Sequence, residues 1–304
     1  HFPNKVSARI TFDSAFAQQI YAGSDMFLFF NDPEEDFEWM MEGYRKGIIT
    51  DERLEEALTR ILGTKAALGL HKKAKTEILP EKEVAMAKIG LEENKAIAKE
   101  VSDKAITLVK NTQDVLPIAP EKTRRVLLVE AKGFDGGFGK FIEIMGGAKK
   151  KPIEIVKELL EAKGFDVEIW ESPIDKIMKL PKEEMAQALG NVYAGKRPIA
   201  ELTSKYDLII NIANVNASVD QRLQWPPSKG TPDIPFYVNE IPTIFISVKC
   251  PFHLADVPQV KTYINTYDDN QQTLEALVEK LVGNTEFKGI SPVDAFCGFG
   301  DTRF

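Results

Sequence analysis

The sequence predicts an α/β protein built as an αβα sandwich: a mostly parallel sheet with helices on both faces. Three observations predict it. Apolar runs of strand length, at 126–130, 208–212 and 243–248, alternate with segments of helical spacing. These runs are largely apolar throughout rather than polar at every second position, as expected of parallel strands covered on both sides. The 304 residues are 43% hydrophobic and 28% charged, which is enough apolar material for a large core.

In chain order, residues 1–21 read as a polar lead-in followed by a weak helical pattern through Phe12, Ala15, Phe16, Gln19 and Ile20. Residues 26–30 (MFLFF) read as a buried strand, broken by Asn31 and Asp32. Pro33 can open a helix, whose face carries Phe37, Met40, Met41 and Tyr44 and which Gly47 ends. Thr50 or Asp51 caps the next helix, with Leu54, Ala57, Leu58, Ile61, Leu62 and Leu68 along one side and Gly69 at its end. A lone strand leaves its backbone groups without partners, so residues 26–30 require neighbouring strands from elsewhere. A Lys- and Glu-rich connector around Pro80 covers 72–90, and a helix follows at 91–104.

Downstream, strands are expected at 105–110, 126–130, 167–170, 208–212, 243–248 and 262–267, with a Pro-containing turn at 111–122. Helices are expected at 152–163, in pieces over 173–194, near 199–204, and at 273–281. In such a sheet the loops at the carboxyl ends of the strands carry the chemistry. The loop after 208–212 is rich in Asn and holds Asp220, Arg222 and Trp225, residue types that suit sugar hydroxyls or an acidic substituent. Asn31 and Asp32 end an apolar run in the same way. These five residues, Asn31, Asp32, Asp220, Arg222 and Trp225, are the candidate substrate-binding set; a turn, cap or domain-contact role accounts for them as well.

Other chemistries fit less well. The net charge is −7, with both signs interspersed, which argues against a nucleic-acid partner. Two cysteines make no disulfide framework, and with three histidines they show no metal-ligand spacing, so neither metal nor cofactor is expected. Cys250 and His253 flank Pro251 and Phe252, which suggests a tight turn rather than a nucleophilic dyad. The Gly-rich stretch 133–139 lacks the phosphate-loop Gly-Lys-Ser/Thr and reads as a plain loop. No apolar stretch reaches membrane-spanning length and residues 1–10 show no signal-peptide core, so a cytoplasmic protein is expected.

Residues 22–28 (AGSDMFL), a helix, and then 47–70 (GIITDERLEEALTRILGTKAALGL) resemble the end of the (β/α)8 barrel in glycoside hydrolase family 3. Residues 105–111 (AITLVKN) with Leu116, Pro117 and Ile118 resemble the entry to that family's second, α/β sandwich domain, and the bacterial β-N-acetylhexosaminidase branch is the nearest likeness. The resemblance implies a barrel remnant at 1–71, a linker and helix at 72–104, and the sandwich at 105–304. It implies a parent that cleaves terminal β-linked N-acetylhexosamine through a covalent glycosyl intermediate. That chemistry needs two acidic functions about 5 Å apart. His1-Phe2-Pro3 echoes the branch's Lys-His-Phe-Pro-Gly-His-Gly loop, but Asn4 stands where Gly belongs. Asp13, followed by Ser14 and Ala15, faintly resembles the nucleophile motif, yet it lies too close to Ala22. Asp25 begins its strand and so is expected to be structural.

No catalytic residue is therefore assigned, and this chain alone is expected not to turn over substrate. The partners implied are a carbohydrate and the rest of the barrel; a homo-oligomer is compatible with both. The alternative is a non-catalytic carbohydrate-binding or scaffolding module, and a third reading is a flavodoxin-like domain that binds a flavin or nucleotide.

Overall fold

The structure, a computed structural model, describes residues 23–26, 32–132, 150–172, 176–177, 180–192, 199–215, 222–223 and 231–303. The chain forms two compact units, His1–Gly90 and Leu91–Phe304.

In the first unit, α1 (Pro33–Arg45) starts where the side chain of Asp32 accepts hydrogen bonds from the Glu34 and Glu35 amides, at 3.1 Å each. Helix α2 (Asp51–Ala67) is capped by Thr50, whose hydroxyl accepts from the Arg53 amide. Gly69 takes up φ 67° just past its end, the left-handed stop that glycine adopts without strain. Within the connector lie two short helices, α3 (Lys75–Ile78) and α4 (Lys82–Met86). Asp25 is indeed tied into the scaffold: it accepts from Arg53 at 2.6 Å and from Arg60 at 3.1 Å, and the Arg53 bond holds its carboxyl below the usual range. Of the strand expected at 26–30, only Met26 is described, and it is exposed. The apolar side of α2 is also open, with Leu54, Leu58 and Leu62 exposed by 40%, 43% and 58%.

The second unit begins with α5 (Glu92–Ala105) and holds a six-stranded sheet. Its strands are β1 (Thr107–Asn111), β2 (Arg125–Ala131), β3 (Asp166–Ile169), β4 (Leu208–Ala213), β5 (Thr243–Ser247) and β6 (Thr262–Asn265). Their order is β1-β6-β5-β4-β2-β3; β1 runs antiparallel to β6, and every other pair is parallel. Among the described residues the sheet is accompanied by α6 (Pro152–Ala162), α7 (Lys182–Val192), α8 (Ile199–Lys205) and α9 (Gln271–Leu281).

Both faces of the sheet are covered, which is why β4 and β5 are buried at every position. On one face, Val126, Leu128, Ile210, Ile244 and Ile264 meet Ile153, Val156 and Leu160 of α6 and Leu274, Leu277 and Leu281 of α9. The register pairs Leu128 with Ile210 and Ile210 with Ile244, so these side chains form continuous rows. On the other face, Leu127, Val129 and Ile209 pack with Leu202 of α8, Tyr206 and Tyr237. Helix α5 is fixed to α9 by buried polar contacts. Ser102 accepts from Thr273 Oγ1 at 2.9 Å, and the fully buried Lys280 donates to Asp103 and to the Glu286 carbonyl, each at 2.7 Å. The chain leaves β2 for β3 on one side and returns to β4 on the other, so the sheet's switch point lies between β2 and β4.

Candidate functional site

The carboxyl ends of the parallel strands bring together polar groups that lie far apart in sequence. After β5, Ser247 Oγ donates to the Cys250 carbonyl, and the Pro251 carbonyl accepts from Asn265 Nδ2 at 3.2 Å. The turn so fixed leads into a 3-10 segment, His253–Ala255, and buries His253 completely. Asp256 then collects three donors: His253 Nδ1 at 3.2 Å, the Leu223 amide at 3.2 Å and Arg222 Nε at 2.8 Å. The Asp256 side chain is 6% exposed and that of Arg222 is 67% exposed, so a buried carboxylate anchors a cation that faces outward. Such a head presents donors suited to a sugar hydroxyl or an acidic substituent.

Burial pushes the Cys250 thiol above its ordinary value, and the charge of Asp256 adds to that. Burial and Asp294 do the same for Cys297. Thiols held protonated are poor nucleophiles. His253 spends Nδ1 on Asp256 and its Nε2 has no partner. The Cys250–His253 segment is thus the turn that its prolyl sequence suggested. Among the described residues no group of three or more His, Cys, Asp or Glu side chains could hold a metal ion.

Of the five residues picked out from the sequence, Arg222 is placed on Asp256, and Asp32 caps α1 through its Oδ1. Asn31, Asp220 and Trp225 lie outside the described residues, as do Asp13 and the Gly-rich stretch 133–139.

A second polar group, at the switch point, was not foreseen. Trp170, just past β3, donates its indole N–H to Asp233 Oδ2 at 3.0 Å. Asp233 is 8% exposed, and among the described residues no cation stands at ion-pair distance from it. Nearby, the Tyr237 hydroxyl contacts both the Pro232 carbonyl at 3.0 Å and Asn211 Oδ1 at 3.2 Å, while Asn211 Nδ2 has no partner. Burial pushes the Tyr237 phenol up, so it remains a donor. Trp170 and Asp233 are 63 positions apart, so only the fold could join them; the one local signal was an acid in a Pro-flanked turn, Pro232-Asp233-Ile234-Pro235.

No family model matches the sequence. The chain is 38% identical over 293 residues to a β-N-acetylglucosaminidase/β-glucosidase from Cellulomonas fimi, which covers 95% of this chain and 47% of that protein. Among solved structures it is similar to the β-glucoside phosphorylase BglX, at 36% identity and a TM-score of 0.69, over 95% of this chain and 47% of that one. It also shares the fold of a glycoside hydrolase family 3 β-N-acetylglucosaminidase from Paenibacillus sp. str. FPU-7, at 19% identity and a TM-score of 0.55, over 90% of this chain and 46% of that one. The chain therefore spans about half the length of the relatives it matches. The helix pair Pro33–Arg45 and Asp51–Ala67, the parallel sheet and these alignments agree: the chain belongs to glycoside hydrolase family 3 and corresponds to the C-terminal part of its members.

Proposed function

We propose that this chain works as the C-terminal half of an enzyme that acts on terminal β-linked N-acetylglucosaminides or glucosides, and that it carries out no chemistry alone. The observation that carries this reading is the alignment of 95% of the chain with 47% of a β-N-acetylglucosaminidase/β-glucosidase. The open row of Leu54, Leu58 and Leu62 on α2 supports it, since an apolar helix side of this kind gains stability when another element covers it. In the complete assembly the two acidic functions come from the barrel. A covalent glycosyl intermediate forms on a barrel carboxylate as the leaving oxygen is protonated; water then releases the sugar. The likeness to a β-glucoside phosphorylase favours a second reading, in which inorganic phosphate takes the place of water and the product is a glycosyl phosphate.

The experiment mixes this chain with the separately produced N-terminal half of the Cellulomonas fimi relative and follows aryl β-N-acetylglucosaminide and aryl β-glucoside cleavage with and without phosphate. Turnover in the mixture and none from either half is expected. A phosphate-dependent rate with glycosyl phosphate as product selects the second reading. Turnover by this chain alone, abolished in Asp13→Ala, overturns both.

A further inference from the structure

The geometry points to a polyol-binding site within the sandwich unit itself, at the switch point between β2 and β4, made by Trp170, Asp233 and Asn211, with the vicinal hydroxyls of a pyranoside as the ligand class. Asp233 is the reason. A carboxylate that is 8% exposed and held by one neutral indole N–H is costly to bury, and natural folds pair such groups with cations or with several donors. Here the described surroundings supply one donor and no cation. A second, independent group points the same way. The Tyr237 hydroxyl has one proton and faces two acceptors, so it serves the Pro232 carbonyl at 3.0 Å more closely than Asn211 at 3.2 Å. The Asn211 carboxamide, at 1% exposure, holds its Nδ2 without a partner.

A hydroxyl both donates and accepts. It can donate to the Asp233 carboxylate and serve either end of the Asn211 amide. Aromatic faces adjoin the polar groups, as pyranose recognition requires: Trp170 itself, and Phe236, which is 37% exposed and stands edge-on to Tyr237 at 5.3 Å. Trp170 follows the carboxyl end of β3 and Asn211 stands within β4, so the group spans β2 beside the topological switch point, the region in which open α/β sheets bind ligands. It involves no bond-making, and it stands whether or not the barrel-completing role above is correct.

The test is an NMR titration of the full chain, reading the indole N–H signals of its three tryptophans, with that of Trp170 assigned by Trp170→Phe. Methyl β-glucopyranoside and methyl β-N-acetylglucosaminide are added to roughly 100 mM, and calcium chloride is added in a separate series. A saturable shift of the Trp170 signal with sugar is expected, with a Kd in the millimolar range, weakened about tenfold in Asp233→Asn through loss of a charge-assisted bond. Asp233→Asn should also raise Tm by roughly 2–4 °C, because it removes a buried charge; a carboxylate retained for structure would give the opposite sign. If neither sugar gives a saturable shift, if calcium gives it instead, if Asp233→Asn binds as well as the parent, or if that variant melts lower, the proposal is wrong. Trp170→Phe, read by saturation transfer to the sugar, gives a second loss-of-binding test. Sugar-induced shifts without reconstituted turnover would leave this site standing and sink the barrel-completing role; turnover without shifts would do the reverse.

Discussion

Removing the carboxylate of Asp103 isolates the charge of Lys280 and measures how firmly α5 is fixed to the sandwich. Lys280 has no exposed side-chain surface, and its ammonium has two partners, Asp103 Oδ1 and the Glu286 carbonyl, both at 2.7 Å. Breaking a fully buried ion pair on one side costs about 3–5 kcal/mol. The Asp103 side chain is 41% exposed, so water screens part of that, and Asp103→Ala should cost about 1–3 kcal/mol. Lys280→Met keeps the volume and removes the charge needing a partner, so it should change stability by less than about 1 kcal/mol. The double variant should match Lys280→Met, because once the ammonium is gone the carboxylate has little left to do. Urea unfolding of the four proteins gives the cycle directly. If Lys280→Met proves more damaging than Asp103→Ala, the ion pair itself is stabilising, and the reasoning from desolvation fails.

Three further outcomes are expected. Gly283→Ala should destabilise the sandwich by about 2–4 kcal/mol in urea, since φ is +79° and the new Cβ would lie 2.8 Å from Pro117 Cβ. The hydrogen bond from the Arg125 side chain holds the Asp207 carboxyl below its ordinary value of 3.8, so its contribution is present above about pH 4 and is lost as pH falls through the lowered value. Unfolding series at several pH values should accordingly show Asp207→Asn less stable than the parent at pH 6, with the gap closing as the pH falls below 3.8. Leu58→Glu, at a position 43% exposed, should leave the stability of the isolated chain within about 0.5 kcal/mol while abolishing association with the complementary half in sedimentation runs.

The strands were legible because burial on both faces writes itself as unbroken apolar runs. The runs 126–130 and 208–212 match β2 and β4 to within a residue at each end. Helix starts were legible where Thr50 caps one with its side chain and where Pro152 takes the first position of another. The antiparallel pairing of β1 with β6 was not, because a short strand carries no mark of its direction. Nor were α3 and α4, four- and five-residue helices too short to show periodicity. At the candidate site Arg222 stood out by composition, whereas its anchor Asp256, 34 positions on in sequence number, looked like any surface acid. Asp233 was invisible for a related reason: what makes it unusual is burial against a neutral indole N–H with no cation among the described residues, which only the folded surroundings define.

Mixing the two halves tests the central claim most directly. With the N-terminal half of the Cellulomonas fimi relative present, aryl β-N-acetylglucosaminide or aryl β-glucoside should be cleaved at a rate that saturates as this chain is added in excess, and this chain by itself should release no phenol. Cleavage by the purified chain alone, or a stable complex of the halves that binds substrate yet never turns it over, would contradict the assignment.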